Sequence, residues 1–434
     1  MRTSLLKTIL HPSQFKLQLL DWAQQYREII YLDSNEYPQQ YSSYDCIVAV
    51  DAFTSIKTDY HNAFEDLKVY QETTKDWLFG YLSYDLKNGV EDLVSHNDDG
   101  LHFPDLFFFQ PKKIFLVKGN QLEIRYLNMC DDEMEFDLKE IENNNSTAFS
   151  STVKREIKQR IKKVEYLEKV SKILSYIKKG ALYEANFCME FFAEKTIINP
   201  LEIYKKLNSI SEPPFAVYLK NNQHYLLSAS PERYLRKEGN KVVTQPIKGT
   251  AKRHSDLSKE ELAITELSSN VKERSENIMI VDLVRNDLSH TAEKGSVQVE
   301  ELCVVYSFKQ VHQMISTVIS QVSPMVSPVE IIKTTFPMGS MTGAPKIAAM
   351  KIIEEVEETK RGLYSGAVGY FTPTGDFDFN VVIRSILYNE QNQYVSFSVG
   401  SAITSESIAE QEYEECLLKA KAMFEVLNSG LVIS

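Results

Sequence analysis

Between Ser230 and Thr250 the chain reads "SPERYLRKEGNKVVTQPIKGT", with an acid, Glu232, and an amine, Lys248, at the two ends of a strand–turn–strand pattern. A turn at Gly239 folds the second strand back on the first, so both groups arrive at one end of the hairpin. An acid facing an amine is a starting point for proton transfer combined with covalent catalysis. It is equally what an exposed ion pair across a hairpin looks like. Gly249 follows the amine directly, and a glycine there lets another group approach the backbone.

Two further pairs of acids stand three residues apart on helical patterns: Glu273 with Glu276, and Glu412 with Glu415. Like charges this close on one helix face are unfavourable unless a cation lies between them. Carboxylates completed by water and substrate oxygens suit Mg²⁺. Solvated faces carry the same spacing, as in "KIIEEVEETK". Arg384 lies within the apolar run "VVIRSIL", where a charge needs an anionic partner, either a ligand or a structural carboxylate. In "MGSMTGAPKIAAMKII" Thr342 reads as the cap of a helix, whose free N–H groups could bind an anion. Gly400 ends the strand "SFSVGSAI", and Lys419 stands one helical turn after Glu415.

These groups are positioned by β-type runs that come in hairpin groups, such as "FAVYLK", "HYLLSAS", "RYLRK" and "KVVTQ", separated by blocks of helix. Grouped strands favour an α+β fold with large antiparallel sheets over a doubly wound parallel one. Helices are expected over 166–179, 255–267 (capped by Ser255), 270–289, 344–358 and 406–427. The strands around "PDLFFFQPKKIFLVKGNQLEIRYL" are expected to break at Pro111 and at Gly119-Asn120. The acidic, then Asn- and Ser-rich stretch 130–151 reads as a linker, giving an N-terminal β-rich part (1–145) and a longer part (150–434) that carries the chemistry.

The chain has 434 residues and a formal charge of −12 from 48 basic and 60 acidic side chains. That balance argues against a nucleic-acid or anionic-membrane surface, and no apolar run is long enough for a membrane helix. A cytoplasmic protein is the expectation. Its five cysteines, Cys46, Cys130, Cys188, Cys303 and Cys416, form no CxxC pair, so neither zinc nor a disulfide framework is expected.

Taken in order, "SASPERYL", "QPIKGTAKR", "SENIMIVDLVRNDL", "PMGSMTGAPK", "GLYSGAVGY", "VVIRS" and "EQEYEECLLKA" resemble the chorismate-utilizing enzymes. That family includes anthranilate synthase component I, aminodeoxychorismate synthase component I and the isochorismate and salicylate synthases. The resemblance implies antiparallel sheets packed as a sandwich with flanking helices. The motif "PIKGT" is that of aminodeoxychorismate synthases, whereas anthranilate synthases replace the lysine by alanine. By this resemblance Lys248 attacks C2 of chorismate while Glu232 protonates the departing C4 hydroxyl. Ammonia then adds at C4, expels the lysine, and yields 4-amino-4-deoxychorismate for folate synthesis.

The resemblance further implies Mg²⁺ held by Glu276 and Glu415, with Glu273 and Glu412 assisting. Arg384 and Tyr364 would hold the enolpyruvyl carboxylate, and Thr342, His312, Gly249, Thr250, Gly400, Ser401 and Lys419 would make other substrate contacts. Such chemistry needs Lys248 uncharged, hence a pKa lowered by burial, and Glu232 protonated near neutrality. Glu184 departs from the pattern, standing where amine-adding relatives carry glutamine and water-adding ones a lysine. None of the five cysteines has the adjacent glycine of a glutaminase nucleophile elbow, so ammonia is expected from a separate glutamine amidotransferase subunit. Anthranilate synthase, isochorismate synthase and a catalytically silent chorismate- or partner-binding subunit are the alternatives.

Overall fold

The structure, a computed structural model, describes residues 1–144, 156–309 and 311–427. Its named strands all pair antiparallel, in two runs. The first passes from Glu184–Ala193 through Tyr394–Thr404, Ser385–Asn389, His224–Ser230, Phe215–Asn221 and Glu28–Asp33 to Cys46–Thr58 and Leu106–Lys118. The second leaves Leu106–Lys118 for Leu78–Leu82, Ala367–Phe371, Phe377–Val381, Arg233–Glu238, Lys241–Gln245 and Val311–Gln321. Two long strands, Cys46–Thr58 and Leu106–Lys118, join the runs, as expected for sheets packed face to face.

Strand alternation accounts for the layers. In Glu28–Asp33, Ile30 joins an apolar cluster shared with Phe79, Leu235, Val318 and Phe379 of the second run, while Ile29 and Tyr31 face the other way. There they meet Leu19, Leu20, Ile173, Cys416 and Met423 from the helices that cover the outer face. The expected α+β class with large antiparallel sheets and flanking helices is the observed one.

Four local expectations change. Leu106–Lys118 runs straight through Pro111, and the irregularity instead appears as a register shift opposite it, between Ala52 and Thr54. A bulge absorbs the missing N–H without ending the strand. The stretch read as a linker is helical over Met134–Glu142, because Met134, Leu138 and Ile141 repeat at helical spacing and are buried; residues 145–155 lie outside the described ones. Strands from both sides of that segment are hydrogen-bonded neighbours, Glu28–Asp33 with Phe215–Asn221 and Leu78–Leu82 with Ala367–Phe371. The parts 1–145 and 150–434 therefore share one sheet network. Finally, the helix Leu257–Ser269 is capped by Asp256 rather than Ser255, its carboxylate accepting from the Lys259 N–H.

The strand Glu184–Ala193 is held against the turn before the Lys346–Val356 helix by one buried guanidinium. Arg361 donates to the carbonyls of Asn186 and Met341, both at 2.7 Å, and doubly to Glu357, which in turn accepts from the Cys188 N–H. Replacing one partner of a buried pair strands the other charge. Arg361→Leu is expected to lower unfolding free energy by about 3–5 kcal/mol, and Arg361→Leu/Glu357→Leu by distinctly less. Urea denaturation of both variants checks this; equal losses would contradict it.

Candidate active site

Lys248 owes its orientation to a bulge. The strand Ile247–Lys252 pairs with Val311–Gln321, but the register shifts between Ile247 and Thr250, and Gly249 sits at φ +84. Only a glycine adopts that conformation readily, and a Cβ there would also lie 3.0 Å from Glu273 Oε2. Lys248 is thereby turned inward and left 9% exposed, between more open neighbours. Its Nζ donates to Glu184 Oε1 at 2.5 Å.

The amine opens on a cleft of about 590 Å³. Glu232 enters from the start of Arg233–Glu238, Glu273 and Glu276 from the helix Val271–Ser289, and Glu412, Glu415 and Lys419 from the helix Ala409–Val426. Gly249, Thr250, Tyr364, Arg384 and Gly400 complete the expected lining residues. The first acidic helix is aimed by its cap, since Asn270 accepts from the Glu273 N–H.

Glu232 is buried, and removal from water pushes its carboxyl up to about 7, against the opposing pull of the Ser340 hydroxyl and the Lys248 ammonium. A proton is thus retained near neutrality, as a general acid requires. Lys248 behaves otherwise than burial alone dictates. Desolvation favours its neutral form, but the carboxylates of Glu184 and Glu276 outweigh it and raise the ammonium above its ordinary value. The expectation of a lowered lysine pKa is corrected: Glu184 holds the proton on the amine.

Arg384 is not inside a strand. It occupies the break between Phe377–Val381 and Ser385–Asn389 in the left-handed region, at φ +50. Such a conformation in a non-glycine residue costs backbone energy that the surrounding structure must hold in place. No carboxylate lies within ion-pair distance of it among the described residues, and desolvation lowers its pKa with only Glu232 opposing. Of the two anionic partners the sequence left open, the structural carboxylate is absent from that distance.

Three expected contacts lie off the cleft lining. Thr342 is fully buried, its hydroxyl donating back to Met338 and Gly339, and Pro345 takes the cap position of the Lys346–Val356 helix. His312 alternates with the cleft-facing Val311 and Gln313; its Nδ1 bonds Ser307 and its Nε2 lies 3.1 Å from Glu260. Ser401 is buried against the Tyr166 hydroxyl at 3.2 Å.

The acidic pairs fit a divalent cation in part. Burial raises Glu276 to about 7 and raises Glu273, with Glu415 adding repulsion to the latter; Glu276 Oε1 is buried without a hydrogen-bond donor. Glu415 is kept low by Lys419, which overcomes its burial and also donates to the Gly400 carbonyl. Glu412 pairs with Lys272 at 3.4 Å. No three such groups converge into a ready cage among the described residues, so Glu276 and Glu415, with Glu273, would supply only part of the shell. Lys272, Asn186 and Ser340 were not singled out from the sequence. Asn186 could have been, since it shares its strand face with Glu184.

A cleft that gathers an acid, an amine, a free guanidinium and two acidic helix faces defines an enzyme for a small anionic substrate. The chain belongs to the chorismate binding enzyme family, whose model matches residues 18–425. Aminodeoxychorismate synthase component 1 of Bacillus subtilis is 32% identical over 87% of this chain and 80% of its own length. Anthranilate synthase component 1 of Thermus thermophilus is 33% identical over 82% of this chain and 78% of its own. Plant relatives are longer, and the chain spans 41% of the aminodeoxychorismate synthase of Arabidopsis thaliana, to which it is 34% identical over 82% of its own length. In three dimensions it is similar to anthranilate synthase component I of Streptococcus pneumoniae, with TM-score 0.77 and 25% identity over 89% of this chain and 93% of that one. It is accordingly a chorismate-utilizing enzyme.

The Glu232 proton has a stability consequence. The folded state binds it more tightly than an unfolded carboxylate of pKa 4.5, so its stabilisation is complete below about 4.5 and is lost as pH rises through about 7. Glu232→Gln lacks this titration and should gain about 2–3 kcal/mol relative to wild type between pH 5 and pH 8. Denaturant titrations at the two pH values measure it, and parallel curves would remove the buried proton.

Proposed function

We propose that the chain is an aminodeoxychorismate synthase component I, converting chorismate and ammonia to 4-amino-4-deoxychorismate for p-aminobenzoate and folate synthesis. The observation that carries this reading is Lys248, a buried amine opening on the chorismate cleft beside an acid that keeps its proton near neutrality. Anthranilate synthases, comparably similar overall, carry alanine at the lysine position. A silent binding subunit would have no use for an acid opposite a nucleophile.

In this mechanism the Arg384 guanidinium and Tyr364 hold a substrate carboxylate. Lys248 attacks the ring, and Glu232 protonates the leaving hydroxyl. Mg²⁺, when bound by Glu276 and Glu415 with Glu273 and Glu412 nearby, would neutralise the ring carboxylate. Ammonia then replaces the lysine. A glutamine amidotransferase partner supplies the ammonia: all five cysteines of this chain are buried, so none is presented as a glutaminase nucleophile. Among the described residues no helix is long and apolar enough to cross a membrane, and a cytoplasmic location is part of the proposal.

Purified protein given chorismate, Mg²⁺ and ammonium is expected to release 4-amino-4-deoxychorismate, identified by mass. Lys248→Ala should lose the covalent adduct, and Glu232→Gln should lose about 10²–10⁴-fold in rate. Anthranilate or isochorismate as product, or wild-type turnover by Lys248→Ala, would overturn the assignment.

A further inference from the structure

If Lys248 is the nucleophile, its proton must leave before the amine can attack, and only 9% of the residue is exposed, at the wall of the cleft. Among the described residues, one group lies within hydrogen-bonding distance of that nitrogen: Glu184, at 2.5 Å. Glu184 is fully buried, and its second oxygen, Oε2, has no hydrogen-bond donor. The carboxylate is also rigidly placed. Its backbone is paired on one side with Thr404 and on the other with Ala344. On that second side Gly343 approaches so closely that a Cβ would sit 2.1 Å from the Glu184 carbonyl oxygen. The glycine of "MTGAPK" therefore secures the position of the acid on the neighbouring strand.

We propose that Glu184 is the proton acceptor of Lys248, taking the ammonium proton as the amine attacks and returning it when the amine leaves. This rests on the aminodeoxychorismate reading for the identity of the electrophile. Nζ gives one proton to a Glu184 oxygen, converting the ion pair into a neutral amine and a neutral acid. The amine lone pair forms the nitrogen–carbon bond at C2 as the two ring double bonds shift in sequence toward C4. The C4–oxygen bond breaks, and its electron pair leaves on oxygen, which takes the Glu232 proton and departs as water. The nitrogen is then cationic opposite a Glu232 carboxylate. When ammonia's lone pair forms the bond at C4, the double bonds shift back and the nitrogen–C2 pair returns to Nζ. The neutral amine recovers its proton from Glu184, and the new C4 ammonium gives its extra proton to the Glu232 carboxylate. An amide at this position could hold the lysine but could not accept the proton.

The charged groups facing Lys248 are Glu184 from the strand Glu184–Ala193, Glu276, Glu273 and the more distant Glu415 from the two acidic helices, and Glu232; those facing Glu184 are Lys248 and Glu276. With Glu184 present, the pair carries its own base. Without it, only lysine already deprotonated reacts. The test compares single-turnover formation of the Lys248 adduct from chorismate and Mg²⁺, without ammonium, in wild type and Glu184→Gln.

Glu232 titrates in both proteins, so rates are compared as a ratio at each pH. Glu184→Gln should be about 10²-fold slower at pH 6, and the ratio to wild type should climb about tenfold per pH unit. Glu184→Asp, which keeps a carboxylate, should show a ratio independent of pH. A Gln variant with no loss, or with a loss that does not change with pH, overturns the proposal. Trace acetylation of Lys248 by acetic anhydride in the ligand-free protein supplies a second readout. Its midpoint should lie above that of free lysine in wild type and fall in Glu184→Gln; coincident midpoints overturn the pairing. If wild type forms no adduct with chorismate, the nucleophile reading fails, and acetylation alone decides whether Glu184 controls the lysine proton.

Discussion

A lysine and a glutamate removed from water and bonded at 2.5 Å lie at the centre of this protein's chemistry. Neither could be buried alone, since an isolated charge in such surroundings neutralises or forces the structure open. Together they form a neutral unit that fits between sheet and helices. Much of the local architecture serves that contact. A bulge with a left-handed glycine turns Lys248 inward, and a two-residue bridge at Gly343–Ala344 fixes the backbone of Glu184. Arg361 ties the same strand to the turn that carries Met341.

Around this pair the cleft keeps its charges unbalanced in a useful way. Glu232, Glu273 and Glu276 are all raised by burial, so the site resists accumulating negative charge. Lysines offset the cleft's carboxylates only in part: Lys272 lies 3.4 Å from Glu412 and 3.9 Å from Glu276, and Lys419 pairs with Glu415. Among the described residues Arg384 has no carboxylate within ion-pair reach, although its left-handed backbone holds it at the cleft wall. A site with a free guanidinium at one side and crowded carboxylates at the other suits a substrate bearing carboxylates that arrives with a cation. Membership of the chorismate binding enzyme family agrees independently with a carboxylate-bearing substrate.

Assembly of the site depends on strands far apart in sequence. Glu184–Ala193 pairs with Tyr394–Thr404, and the lysine-bearing strand pairs with Val311–Gln321. The N-terminal strands add no expected site residue, yet they complete both sheet runs through Cys46–Thr58 and Leu106–Lys118. Loss of that N-terminal support would expose apolar faces on both runs rather than detach an independent unit.

The sequence alone determined the fold class, the hairpin that brings Glu232 and Lys248 to one end, both acidic helix faces and the family, because each is written in local periodicity or in contiguous motifs. It also marked Glu184 as the residue that departs from the family pattern, without revealing what it touches. Tertiary structure decided the rest. Which face of a strand a residue takes depends on bulges and partners, so His312, Thr342 and Ser401 turned away from the cleft while Asn186 turned toward it. The lysine's protonation was likewise beyond sequence. Burial and pairing act on the amine with opposite sign, and only the position of Glu184 on a strand more than sixty residues earlier shows that pairing wins.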